Sequence, residues 1–410
     1  MTGSSTARIA WRNLWRNPRR TSLALAAIGL SVTLVLAYDS ILRAYGDWMV
    51  ETITGPMLGH VQIHTPGWRT DRAMDRTLSR TGALVETLRR QPEVVTASAR
   101  IYAPALAARA EEGFAVLVMG VDVLAETRPA RLLDGVTEPL GNRRVLMGRS
   151  LAEQMGVHDG DEIALVGQGA DGSLANDLFR VVGVIETAVD FINRQGIVMS
   201  LDDAQMLFAM RDEAHEIVVH ARDPSEVTRL AATIAARPEF AEDEVLDWQA
   251  LAPELLSLIQ IVNVVWILVL VLVLIAAAAG VANTMLMATF ERTHEFGMLL
   301  ALGTTPGGIV RMILAESAAL GLVGALLGTT LGVALVALTH RSGVDYAALT
   351  GRGPSAILFA GLRWSLRLYP SLALADVMRT VAAVLVTSLL ASAWPAARAA
   401  RLQPAKALRD

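Results

Sequence analysis

The chain of 410 residues contains no cysteine. Disulfides, thiolate metal sites and cysteine-linked lipid anchors are therefore excluded. It also lacks any GxxxxGK[ST] run, so it cannot cradle nucleotide phosphates by the P-loop route, and a nucleotide site of that kind would have to be on another polypeptide. The most informative absence is local: no charged residue occurs in Thr21–Tyr38, Leu255–Phe290, Ser317–Thr339 or Thr380–Ala397. The shortest of these windows would reach roughly 27 Å as a helix, close to the roughly 30 Å of a hydrocarbon core. A composition that is 53% hydrophobic yet 19% charged suits neither an ordinary soluble protein nor an all-membrane one. Gathering the charges between apolar windows reconciles the two, and four membrane spans are expected. As one helix Leu255–Phe290 would be roughly 54 Å long, so its beginning, near Leu255–Val262, is expected to continue beyond the membrane as a stalk.

Residues 1–20 hold five arginines and no acid. Arg8, Arg12 and Arg16 repeat every four residues, with Trp11, Leu14 and Trp15 on the other side. That pattern predicts a short helix in the membrane interface, its basic side toward lipid phosphates and its tryptophans at headgroup depth. Asn17-Pro18 then breaks it. A cleaved signal peptide competes with this reading, because Val35-Leu36-Ala37 resembles a cleavage site, but the apolar run exceeds a typical signal core and a retained anchor is expected. The arginine-rich start places the N-terminus in the cytoplasm, and four spans return the C-terminus there, where Arg398, Arg401, Lys406 and Arg409 face only Asp410. Residues 46–254 carry 33 acids against 19 bases, a contrast that suits a translocated domain. One loop disagrees with the rule: His340–Arg379 should be outside, yet it holds Arg341, Arg352, Arg363, Arg367 and Arg379.

Alternation and β-branched content predict strands at His60–His64, Val94–Arg109, Phe114–Asp122, Asp161–Val166, Phe179–Ile185 and His215–Ala221. Helices are expected at Ala83–Arg90, Ser150–Met155, Leu201–Met210 and Ser225–Ala236, the last opened by Asp223-Pro224. Irregular alternation of the two suggests two small α+β lobes rather than one doubly wound sheet. The boundary falls near Pro139-Leu140-Gly141, and the first lobe resumes after Leu201.

Several motifs invite chemistry and resolve to plainer readings. Gly167–Gly172 spells GxGxxG after a strand, but only Ser173–Leu178 separates it from the next strand, too short for the crossover a dinucleotide fold requires. It reads as a hairpin loop. His60, Gln62 and His64 share one strand face without an evident third ligand, and an exposed polar face accounts for them better than a metal. Gly324, Gly328 and Gly332, with Gly321 one turn earlier, form a doubled GxxxG in the third span, a stripe for close packing against another helix, in this chain or a second subunit. Glu316 and Asp39 lie near the ends of spans, where neither needs a proton-relay role. The segment Pro354–Pro370, with Phe359, Leu362, Trp364, Leu366 and Tyr369 among arginines, fits either the outer leaflet surface or a cover over a span interface.

The stretch Asn283–Glu316, NTMLMATFERTHEFGMLLALGTTPGGIVRMILAE, has the punctuation of a helix, a stop and a new helix. Gly303 suits the left-handed residue that ends the first, Thr305 a cap for the second, and Pro306 its first turn. Phe296, Leu299 and Gly303 share one face, and Glu291, His294 and Glu295 another. This stretch resembles the cytoplasmic loop of FtsX/MacB-like ABC transporter permeases, and AWRNLWRNPRRT at the start and WPAARAARLQPAKALR at the end resemble the same family. VLMGRSLAEQMGVHDGDEIALVGQG is similar to its periplasmic domain, and GHVQIHTPGW after the first span is most like the lipoprotein-releasing (LolC/LolE-type) branch. The family usually has a basic residue where His294 and Leu300 stand, and basic residues in place of Thr304, Thr305 and Pro306, so the docking surface here is less charged.

The resemblance implies an α-helical membrane protein with four transmembrane helices and a large extracytoplasmic α+β domain inserted between helices 1 and 2. The segments expected are an interfacial helix (1–20), span one (21–45), the outer domain (46–254, second lobe about 141–200), span two with stalk (255–290), a cytoplasmic coupling loop (291–308), span three (309–340), an outer loop (341–376), span four (377–397) and a cytoplasmic tail (398–410). It implies an inner-membrane permease subunit that works with a separate ABC ATPase dimer and a second permease subunit. Its cargo would be a lipoprotein or lipid-like molecule, passed to a periplasmic carrier. Glu291, Arg292, His294, Glu295 and Gly297 would meet the ATPase, and cargo acyl chains would enter beside the glycine stripe. No catalytic site, cofactor, metal or nucleic acid is expected in this chain. A MacB-type efflux permease, an FtsX-type regulator of a cell-wall hydrolase and, last, a membrane sensor are the other readings.

Overall fold

The computed structural model describes residues 17–109, 111–126, 132–133, 140–187, 189–345, 357–359, 362–364 and 367–401. The interfacial helix expected at residues 1–20, with Arg8, Trp11, Arg12, Trp15 and Arg16, lies outside them apart from its last four residues, as does most of the tail. Of Pro354–Pro370 only part is described. The chain divides into two compact units. One comprises Met1–Asp47, Leu258–Tyr346 and Arg367–Asp410, and the other Trp48–Ser257 and Ala347–Leu366.

Four helices are long and apolar enough to cross a membrane. They are α1 (Pro18–Ile53), α7 (Pro253–Glu291), α9 (Pro306–Ser342) and α10 (Leu374–Ala400). Each outruns its charge-free window, because a helix continues through charged residues once they reach water. Ala24, Ile28, Val32 and Leu36 of α1 form a helical stripe and pack with Val281 and Met285 of α7, Leu320 and Ala325 of α9, and Val384 of α10. Most of the α7 surface is left uncovered by this chain.

The other unit is built on nine strands: β1 (Val61–His64), β2 (Val94–Arg109), β3 (Glu112–Val121), β4 (Arg144–Gly148), β5 (Glu162–Gln168), β6 (Leu174–Ile185), β7 (Gly196–Ser200), β8 (Glu216–Ala221) and β9 (Glu244–Asp247). They form one sheet in the order β9-β1-β8-β2-β3-β7-β4-β6-β5, and β5 also pairs with β2. Strand β2 is shared between two arrangements. Its first half pairs with β8, and its second half with β3 and β5, so the last six strands close on themselves. The lobe expected at about 141–200 therefore has no sheet of its own, because β2 and β3 complete its ring. Helix α2 (Thr81–Arg89) packs on β2, α3 (Arg149–Met155) and α4 (Asp190–Gln195) on β4, α5 (Leu201–Leu207) on β3, and α6 (Val227–Ala235) on β9. The α6 face is Val227, Leu230, Ala231 and Ile234, the i, i+3, i+4, i+7 pattern of a half-buried helix.

Gly167–Gly172 lies in the hairpin between antiparallel β5 and β6, with Gly172 at φ +80° and Asp171 accepting from the Ser173 amide. The expected exposed face on β1 is corrected: Gln62 and His64 are buried, and the buried Trp68 ring lies against His64 with centroids 6.0 Å apart.

Candidate coupling site and its supports

Helix α7 ends at Glu291, and after Arg292 the chain forms a short helix, α8 (Thr293–Ala301). Gly303, at φ +90°, closes it: its amide donates to Leu300 O (3.1 Å), and the Thr304 amide donates to Leu299 O (2.9 Å), the paired bonds that satisfy orphan carbonyls at a helix end. Thr305 then caps α9, its side chain accepting from the Gly308 amide at 3.3 Å, and Pro306 supplies the first turn.

The inner side of α8 is fixed in two ways. Phe296 is buried with Ile309, Met312 and Ile313 of α9 and with Ala396 and Ala399 of α10. Arg292 forks onto Glu316 of α9, Nη1 donating to both carboxylate oxygens at 2.7 and 2.9 Å, while its Nε donates to Glu295 at 3.0 Å and its guanidinium lies over the Phe296 ring. The Arg292 and Glu316 side chains are only 12% and 7% exposed. Two of the residues expected to face an ATPase therefore point into the chain's own interior: Arg292 is engaged by Glu316, and Gly297 is buried beside Phe296. Glu295 is half-buried against Arg292. Glu291 is gripped from α1 by Arg20, at 2.9 and 2.5 Å.

The outer side of α8 presents His294, Met298 (44% exposed) and Leu302 (84% exposed) at steps of four residues. The result is a narrow, mostly apolar ridge on a rigid base, a shape suited to insertion into a cleft on a partner.

The glycine stripe of α9 is filled by the chain itself. A Cβ at Gly328 would lie 2.4 Å from Gly29 O of α1, one at Gly324 2.6 Å from Ile28, and one at Gly332 3.0 Å from Leu36. A Cβ at Gly321 would meet Ser388 of α10 at 2.9 Å. Backbones in contact allow Thr33 Oγ1 to donate to Gly328 O at 3.1 Å, the close crossing that small residues permit. At the opposite end of these helices the buried Asp376 of α10 accepts from Arg43 of α1 at 2.5 Å and from the Ala373 amide at 3.1 Å.

The β-rich unit holds a polar cluster that the reading of the sequence passes over. Arg100, in the middle of β2, is fully buried and makes a two-pronged pair with Glu126 (Nε–Oε1 2.7 Å, Nη2–Oε2 2.6 Å). Ser98 donates to the same carboxylate at 2.8 Å, and Tyr102 donates to Glu216 at 2.7 Å. The signal was available: Ser98, Arg100 and Tyr102 alternate on one face of a strand whose other face is Ala97, Ala99, Ile101 and Ala103. Burial of Glu216 holds its carboxyl above the usual range. His215 accepts the Tyr102 amide at Nδ1 (3.0 Å), so its proton sits on Nε2, facing Met74 O at 3.3 Å. Burial lowers the pKa of His215 and of His220 to about 4, and that of His60 and His64 is also lowered by burial. Among the described residues no cluster suits a metal ion.

Residues 21–237 match the MacB-like periplasmic core domain, and residues 267–404 the FtsX-like permease C-terminal region. The chain is 24% identical over 403 residues to the lipoprotein-releasing system transmembrane protein LolC of Neisseria meningitidis, covering 95% of this chain and 94% of that one. It is 24% identical to the corresponding LolE of Haemophilus influenzae, covering 98% of each. It is 26% identical to the macrolide export ATP-binding/permease protein MacB of Nitrobacter winogradskyi, covering 98% of this chain and 60% of that longer one.

Proposed function

From the premise that the chain belongs to the family of ABC transporter permeases with a MacB-like periplasmic core and an FtsX-like C-terminal region, we propose that it couples ATP hydrolysis on a separate ATPase subunit to movement of its β-rich unit. The observation that carries this reading is α8: a ridge of His294, Met298 and Leu302 standing on a base locked by Phe296 and the Arg292–Glu316 pair. A helix held that firmly from behind passes a push to α9 and α10 instead of bending under it.

In this arrangement the protein sits in the inner membrane with both termini and α8 in the cytoplasm, and the β-rich unit is placed outside, between the first two spans. A dimer of ATPases and a second permease subunit complete the complex. Lipoprotein release to a periplasmic carrier is the favoured activity, because relatives named for it align along nearly the whole chain. Efflux of a small hydrophobic compound is the second reading, drawn from the MacB relative; regulation of a cell-wall hydrolase is the third.

The test changes the ridge and spares its base. Met298→Asp with Leu302→Asp should abolish association with the cognate ATPase while insertion and thermal stability stay at wild-type levels. Undiminished association would remove α8 from the coupling path. Reconstitution with labelled lipoprotein in one assay and a macrolide in another then separates release from efflux.

A further inference from the structure

Helix α1 does not end by fraying. Its last turn passes into a single π-turn, Thr54–Leu58, whose Thr54, Gly55 and Pro56 are buried, and β1 begins three residues later. A π-turn disrupts the regular i→i−4 ladder and leaves local carbonyls in need of donors. Two of these carbonyls are taken by side chains of the sheet: Arg100 Nη1 of β2 donates to Met57 O at 2.7 Å, and His220 Nε2 of β8 faces Gly55 O at 3.1 Å. The Gly59 amide closes the turn onto Thr54 O at 2.6 Å, and the His60 amide continues into Val219 O at 2.8 Å. All of these residues belong to the β-rich unit.

The arginine is a costly way to fill this space. A buried ion pair is often replaceable by apolar side chains of similar volume without loss of stability, so stability alone does not call for Arg100 and Glu126. A charge-assisted donor aimed at one carbonyl, with both prongs of its fork held by Glu126, supplies something an apolar core does not, which is a directional attachment at a single point of the backbone. We infer that the Arg100–Glu126 pair is the clamp that fixes the end of the first span's helix to the sheet, so that displacement of that helix moves the β-rich unit instead of being absorbed in the π-turn. Arg100 is thus a positioning residue, and the inference rests on the ATP-driven reading above.

The variant Arg100→Met/Glu126→Met removes the attachment and both buried charges together, and is expected to fold. Hydrogen exchange is followed on the full chain in lipid nanodiscs, bound to the ABC ATPase that co-purifies with it, with and without ATP-vanadate. In the variant, amides 58–60 should exchange roughly tenfold faster, the effect of losing one charge-assisted hydrogen bond, while β5 and β6 stay protected. Nucleotide should change exchange in the β-rich unit of the wild type and not of the variant, at equal ATP turnover. Arg100→Lys, which retains a donor for Met57 O, should recover part of the response. A variant that responds to nucleotide as the wild type does, or amides 58–60 that exchange at the wild-type rate, would overturn the clamp and leave the transporter reading intact. A wild type that gives no nucleotide response would instead sink the ATP-driven reading, and the clamp's purpose with it.

Discussion

Arg292 in the helical unit and Arg100 in the β-rich unit are both paired with glutamates, and both fix the end of a helix. Their surroundings differ. Arg292 stands at a helix junction, 12% exposed, divided between Glu316 and Glu295 with a phenylalanine ring beneath it. Arg100 stands mid-strand with no exposure, against Glu126 and with Glu216 3.9 Å away. Water can reach the first pair if one partner is lost, and cannot readily reach the second. The same two side chains are thus a tolerant hinge pin at one place and an exacting one at the other, and the difference is set by desolvation more than by geometry.

The comparison is broken most severely by Arg100→Ala. Glu126 would be left buried and unpaired, at a cost of about 3–5 kcal/mol, so β2 and β8 should lose protection from hydrogen exchange in the full chain. Arg100→Met/Glu126→Met should cost far less. If the single and double variants were equally unstable, the argument from an uncompensated charge would be wrong. Arg292→Ala should follow at about 1.5–3 kcal/mol, the range for hydrogen bonds to a charged group, with Glu316 partly rehydrated. Thermal unfolding in detergent, read against that of Arg100→Ala, tests the order.

Packing by absence is the helical unit's other device, and Gly328→Ala probes it. The new methyl would sit 2.4 Å from a backbone oxygen, which cannot rotate away, so a loss of about 1–3 kcal/mol is expected. Gly307→Ala, with nothing within 4 Å, is the control and should be neutral in the same unfolding assay.

These two devices were unequally legible in the sequence. The stripe of glycines and the four charge-free windows are periodic signals within one segment, and so is the stop at Gly303 followed by Thr305-Pro306. Strand β2 was readable end to end from its alternation. Strands β4 and β7 were not, because RVLMG and GIVMS are buried on both faces and carry no period. The closure of the ring depends on Ala105–Ala108 meeting Ala164–Gly167, apolar residues with no local mark of their partners. At the site, the residues read as one polar face are separated by the break at Arg292: Glu291 ends α7 against Arg20, Glu295 lies against Arg292, and Arg292 itself turns inward because Glu316 of α9 pairs with it. Burial of Gln62 and His64 was hidden for the same reason: a polar strand face looks exposed until its neighbours are known.

The smallest effect per residue, again in the β-rich unit, is on pH. His215 and His220 are held to about 4 against an ordinary 6.5, chiefly by burial. Below 6.5 the unfolded chain therefore takes up protons that the folded unit refuses, so stability falls from near pH 6.5 down to about 4 and is level below that. For each histidine the loss reaches about 1 kcal/mol by roughly pH 5.5. His60 and His64 are shifted the same way. Glu216 opposes them, since its raised carboxyl pKa lets the folded state bind a proton first, in a window above the ordinary carboxylate value. His215 has a further reason to refuse a proton: its Nδ1 already accepts the Tyr102 amide, and a second N–H there would face a donor. Hydrogen exchange of β2 and β8 at pH 7.5 and 5.5 should show the decline, and His215→Asn/His220→Gln should flatten it while the ion pairs of the helical unit keep their own pH response. A slope unchanged in that variant would assign the acid sensitivity to His60 and His64 instead.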